Sequence, residues 1–137
     1  MTVPTHPVPA ARSFEATLAR AQAAARAAGV LESNHAPAMY RHLWRLGVRV
    51  RPPYFGGFVS NALIAGVPFA LAYGAIAWLE TLLRDTGRWL STAPATAIGA
   101  GALFGVALAS YYRWTARRLG LPSWQMLREQ AQREPPA

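Results

Sequence analysis

No cysteine and no lysine occur among the 137 residues. Without thiols the chain has no disulfide, no zinc–thiolate site, no iron–sulfur cluster and no thiol nucleophile. Without lysine, all 14 basic residues are arginine, which beside so much alanine reads as the usage of a GC-rich genome. Acidic residues are scarce: six against 14 arginines leave a formal charge of +8. Such an excess calls for an anionic partner, either nucleic acid or anionic lipid. Histidines are only three, at 6, 35 and 42, and the last two stand seven residues apart. Helical metal-ligand pairs are spaced by three or four residues, so no metal site is expected.

What the chain has instead is two long stretches without charge. Residues 58–79, "FVSNALIAGVPFALAYGAIAWL", and residues 93–112, "APATAIGAGALFGVALASYY", contain none. A bilayer's hydrocarbon core needs about 20 residues of helix, and both runs are long enough. The alternative is a pair of buried helices in a soluble protein, but the rest of so short a chain is too small to cover two helices apolar on every side. The first 50 residues contain no apolar signal-peptide core, so the first span is expected to serve as its own uncleaved insertion signal.

Arginine placement orients the spans. Seven arginines (12, 20, 26, 41, 45, 49 and 51) precede the first run and five (113, 117, 118, 128 and 133) follow the second. The connecting segment sets Arg84 and Arg88 against Glu80 and Asp85. The positive-inside rule then puts both termini in the cytoplasm. Tyr54, Phe55, Tyr111, Tyr112 and Trp114 are expected at the inner interface, and Trp78 and Trp89 at the outer one.

Both runs carry small residues every four positions: Ala62, Gly66, Ala70 and Gly74 in the first, Ala93, Ala97, Gly101, Gly105 and Ala109 in the second. Residues four apart share a helix face, and small ones let backbones approach closely in lipid. The stripes either face each other in one antiparallel hairpin or form an oligomerisation face; the short connection favours the hairpin. In a hairpin, Ser60 and Asn61 would approach Ser110 and Tyr111, with Tyr73 near Thr96 and Ala97. Asn61 is the one amide at membrane depth and stands close enough to the interface for water to satisfy it. Pro68, mid-span, removes a backbone hydrogen bond at Ile64, an ordinary feature of spanning helices.

Outside the spans, residues 1–12 hold three prolines and read as a disordered tail. A helix is expected from Ser13 as N-cap to Gly29, with a shallow stripe of Phe14, Leu18, Ala21 and Ala25 that could dock on a partner or on the chain itself. Asn34 as cap and Pro37 in the first turn predict a helix over 36–46 that ends at Gly47. Its apolar arc is Met39, Tyr40, Leu43, Trp44 and Leu46, opposite Arg41, His42 and Arg45. A basic amphipathic helix beside a span fits one lying in the membrane interface, with Tyr40 and Trp44 as interfacial aromatics. Arg41, Arg45, Arg49, Arg51, Arg113, Arg117 and Arg118 would contact anionic headgroups, each gaining about 1 kcal/mol. After the second span the helix should run on to Gly120, and Ser123 should cap a terminal helix bearing Trp124 and Leu127.

Catalytic groups do not assemble in this pattern. Ser60 lacks a nucleophile elbow's flanking glycines. Glu80 and Asp85 fall on the opposite side of the membrane from the histidines. "GAGALFG" belongs to a span rather than to a phosphate-binding strand–turn–helix. With no histidine in either span, haem held by two axial histidines has no ligands. The arginines flank spans, where topology alone requires them, and no nucleic-acid-binding signature accompanies them.

The stretch "ESNHAPAMYRHLWRLGVRVRPPYFGGFVSNAL", residues 32–63, resembles the small bacterial membrane proteins of domain-of-unknown-function family 6404. The residues that carry the resemblance are Ser33, Asn34, Ala36, Pro37, Arg41, Leu43, Trp44, Leu46 and Gly47, then Pro52, Pro53 and Phe55, then Phe58, Asn61 and Ala62. It extends from about residue 14 through "RRLGLPSW". The resemblance implies two spans and a membrane location, and it brings no activity, cofactor or catalytic residue.

The expected architecture is an all-α membrane protein: a cytoplasmic and interfacial helical segment at 13–57, spans at 58–79 and 93–112, an external loop at 80–92, and a cytoplasmic helix and tail at 113–137. The expected role is a non-enzymatic accessory or scaffolding subunit of the bacterial inner membrane. It would need no cofactor, with lipid headgroups and a protein or second copy as partners and no nucleic acid. The other reading is a homo-oligomeric channel or holin-like permeabilising protein.

Overall fold

The computed structural model describes residues 10–84 and 93–133, and every regular element among them is an α-helix. In chain order these are α1 (Ala10–Ala27), α2 (Glu32–His35), α3 (Ala38–Arg45), α4 (Phe58–Arg84), α5 (Ala93–Arg118) and α6 (Trp124–Arg133). They sort into two compact units. One takes the described residues through Gly56 and those from Ala116 onward, and the other takes Gly57–Thr115.

In the first unit, α1 packs on α6. Phe14, Thr17, Ala21 and Ala25 share one face of α1 by their spacing, and Thr17, Ala21 and Ala25 are buried. From α6 come Trp124, Leu127 and Ala131, all buried, and the rings of Phe14 and Trp124 lie 5.6 Å apart. The shallow alanine stripe therefore finds its cover within the chain, where its small side chains leave room for an indole. Thr17 is the member that helical patterning missed. Its hydroxyl donates to the Ser13 carbonyl at 2.6 Å, so the polar atom is satisfied inside its own helix.

Glycines stop three of the helices. Gly29 and Gly47 have φ of +80° and +79°, a left-handed backbone that a Cβ would strain. The Gly29 N–H donates to the Arg26 carbonyl at 2.9 Å and the Val30 N–H to Ala25 at 3.0 Å. Gly47 and Val48 donate likewise to Trp44 and Leu43, and Gly120 and Leu121 to Arg117 and Ala116. All three are Schellman endings, which satisfy carbonyls that the helix leaves without donors. At the start of α6 the Met126 N–H donates to Ser123 Oγ at 3.3 Å, an N-cap bond.

Three local expectations change. α1 begins at Ala10, ahead of Ser13, because Ala10, Ala11 and Arg12 are strong helix formers; only residues 1–9 of the expected tail lie outside the described residues. Asn34 sits within the single turn of α2 and caps nothing, and α3 starts after Pro37 with no side-chain cap. Pro37 has no N–H to give and disfavours helical geometry at Ala36 (φ −134°, ψ 65°), so the chain breaks there into two helices. Finally, α4 runs through Arg84, five residues beyond the expected end of the first span. The remainder of the expected loop, 85–92 with Arg88 and Trp89, lies outside the described residues, as do 134–137.

Candidate functional site

In the second unit, α4 and α5 meet along their small residues. A Cβ built on Gly66 would lie 2.6 Å from the Gly101 carbonyl oxygen, and one on Gly101 would lie 2.5 Å from Ala70 Cβ. One on Gly105 would strike the Ala62 carbonyl, while one on Gly74 would meet Ala97 Cβ at 3.5 Å. The pairing falls on one side as it rises on the other (62 with 105, 66 with 101, 74 with 97), so the two helices run in opposite senses. Ala97, Gly101, Gly105 and Ala109 are buried, and Phe69 stacks on Phe104 with ring centroids 4.4 Å apart.

Away from that seam the surface is apolar. Leu63, Leu71 and Ile76 expose 58%, 69% and 68% of their area, and Val59, Leu79, Leu103 and Val106 are also exposed. Only 11% of the most apolar window of α4, and 22% of that of α5, is buried inside the protein. Both helices are long and apolar enough to cross a membrane. Trp78, Tyr111 and Trp114 are exposed on this unit, whereas Tyr112 is buried.

One amide in these helices turns inward and two hydroxyls bond locally. Asn61 is 3% exposed, so it is the protein rather than open water that surrounds it. The Ser110 hydroxyl donates to the Val106 carbonyl at 2.7 Å and the Thr81 hydroxyl to Ala77 at 2.8 Å. Both thereby satisfy a polar atom on their own helix. Ser60, Ser110 and Tyr73 are exposed. Pro68 lies inside α4 without ending it.

In the first unit, the arc expected to face outward on α3 divides. Tyr40 is 4% exposed and Trp44 half-buried, their rings 6.3 Å apart, while Leu46 is 78% exposed and Met39 and Val48 are exposed too. The Trp44 indole donates to the Val50 carbonyl at 2.8 Å, folding "LGVRV" back over the helix end. Pro52, Pro53, Tyr54 and Phe55 are all buried, in a turn closed by the Phe55 N–H donating to Pro52 at 2.9 Å. Tyr40, Tyr54 and Phe55 are thus packed side chains. The exposed apolar groups beside the arginines are Met39, Leu46 and Val48.

All seven arginines expected at headgroups are exposed. Arg41 and Arg45 join Trp44 at an open cleft of about 430 Å³ that also takes Gln22 and Arg26 from α1 and Glu32 from α2; Arg49 and Arg51 do not line it. Gln22 and Arg26 are the residues that reading the chain segment by segment missed. Their four-residue spacing marks one face of α1, but only the turn at Gly29 brings that face toward α3. His42 stays outside the cleft lining, its Nδ1–H donating to the Ala38 carbonyl at 2.9 Å.

A family of unknown function, DUF6404, matches residues 12–127. The chain belongs to this family. The match spans the described helices from α1 into α6, a stretch that contains both the apolar pair and the arginine-bearing cleft. No curated protein and no solved structure matches the chain.

Proposed function

We propose that this protein is a two-span protein of the bacterial inner membrane, in which α4 and α5 form an antiparallel transmembrane hairpin with both termini cytoplasmic. The observation that carries this reading is the exposure of the apolar windows, 11% and 22% buried, on helices of 27 and 26 residues. Exposed apolar patches of more than a few hundred Å² mark protein or membrane contact. At 1.5 Å per residue each helix is about 40 Å long, enough to cross a core of about 30 Å with some tilt. The pairing of Gly74 with Ala97 and Gly66 with Gly101 places Trp78 about 30 Å along the axis from Trp114 and Tyr111. That separation suits aromatics at the two faces of one bilayer.

The role is a non-enzymatic accessory or scaffolding subunit. Its segments before α4 and after α5 stay at the cytoplasmic face, where Arg41, Arg45, Arg49, Arg51, Arg113, Arg117 and Arg118 engage anionic headgroups. Met39, Leu46 and Val48 supply the apolar contact beside them. The small-residue seam is filled within one chain, so a channel would have to assemble through another face of these helices. Reporter fusions at residues 1, 86 and 137 test the topology. Only the one at 86 should report the outside, and any other pattern rejects the hairpin.

A further inference from the structure

We infer that the cleft between α1 and α3 is a binding site for a phosphate group, held by Arg26, Arg41 and Arg45 against the indole of Trp44. The three guanidinium groups come from two helices that separate chain segments contribute, and they line one cavity of about 430 Å³ with a single carboxylate, Glu32. Among the described residues no ion pair joins Glu32 or any other carboxylate to these arginines. The cleft therefore carries an uncompensated charge of three arginines against one glutamate. Guanidinium is the side chain best matched to phosphate, offering planar paired donors that stay charged at every physiological pH. A cavity of this size lies in the range of small-molecule clefts, about 300–1,000 Å³. It holds a phosphate together with a substituent.

The lining also bears on that substituent. Gln22 offers both a donor and an acceptor, and Glu32 only acceptors. They suit the hydroxyl or ammonium group of a phosphodiester, and Glu32 disfavours a second phosphate. A lipid headgroup of the glycerol or ethanolamine type supplies this chemistry, and so does a soluble phosphate ester. The lipid source rests on the membrane reading above, whereas the phosphate site does not. The site also differs from the diffuse attraction of a basic surface, because it depends on Arg26, which stands on α1 away from the basic run at 41–51.

The test is a fluorescence titration of the full chain in dodecyl maltoside, taking the part of the emission change that Trp44→Phe abolishes. The probes are dihexanoyl phosphatidylglycerol, dihexanoyl phosphatidylcholine and inorganic phosphate. Phosphatidylglycerol should saturate, and Arg26→Gln, Arg41→Gln and Arg45→Gln should each raise its apparent Kd about tenfold. Arg128→Gln, exposed on α6, should leave it unchanged, and Arg26→Lys should fall between. Glu32→Gln should tighten inorganic phosphate. If phosphatidylglycerol binds far more tightly than inorganic phosphate, the source is a lipid; equal binding with the same arginine dependence assigns a soluble phosphate compound. Equal Kd values for Arg26→Gln and Arg128→Gln, with the helical circular dichroism of both intact, overturn the site. Reporter fusions would still stand or fall independently, since they read the spans alone.

Discussion

Replacing Gly101 by alanine should loosen the α4–α5 pair, and Gly99 provides a control two residues away on the same helix. A Cβ on Gly101 would sit 2.5 Å from Ala70 Cβ, 2.6 Å from the Gly66 oxygen and 3.2 Å from Ala70 Cα. Carbon pairs rest at about 3.5–4.0 Å, so the helices must separate by about 1 Å. All three atoms are backbone or fixed to it, and no side chain can rotate out of the way. Overpacking of this kind costs about 1–3 kcal/mol. Alanine gains up to about 1 kcal/mol over glycine in helix propensity, but a Cβ on Gly99 meets nothing within 4 Å. The difference between the two variants therefore isolates the packing. Unfolding in mixed dodecyl maltoside–dodecyl sulfate micelles should place Gly101→Ala about 1–3 kcal/mol below Gly99→Ala. Gly74→Ala, whose Cβ meets Ala97 Cβ at an ordinary 3.5 Å, should match Gly99→Ala. Equal stability for Gly101→Ala and Gly99→Ala would refute the close seam.

Other variants probe the first unit. Trp124→Ala removes the buried indole against Phe14 and should lower stability by about 3–5 kcal/mol, read as faster proteolysis of α6. Trp44→Phe keeps an aromatic ring but strands the Val50 carbonyl, for a loss of about 1–3 kcal/mol in chemical denaturation. Ser123→Ala removes the cap on Met126 and should cost about 1 kcal/mol, whereas Ser33→Ala, exposed in α2, should change little.

Much of the architecture is legible in local sequence because local rules govern it. The charge-free runs, the stops at Gly29, Gly47 and Gly120 and the cap at Ser123 each follow from one segment's chemistry. Ser13 and Asn34 have equally good capping chemistry, yet both lie inside helices rather than at their starts, because Ala10–Arg12 extend one helix and Pro37 divides another. The aromatic side chains were the least legible. Periodicity puts Tyr40, Trp44 and Leu46 on one arc, but it is silent about what covers that arc. Burial takes Tyr40 inside and leaves Leu46 out, while the Trp44 bond to Val50 depends on the chain doubling back after Gly47. Arg26 escaped for the same reason: Arg41, Trp44 and Arg45, which it joins at the cleft, stand 15 or more residues along the chain.

If lipid covers the exposed apolar faces of α4 and α5, the absence of native cysteine permits a direct measurement of it. Leu63→Cys, Leu71→Cys and Ile76→Cys can be introduced singly into the full chain and treated in opened membranes with a water-soluble maleimide, beside Ser33→Cys. All four positions are exposed on the protein itself. Residue 33 should label rapidly, whereas 63, 71 and 76 should be protected. Labelling of those three as fast as residue 33 would contradict a lipid cover.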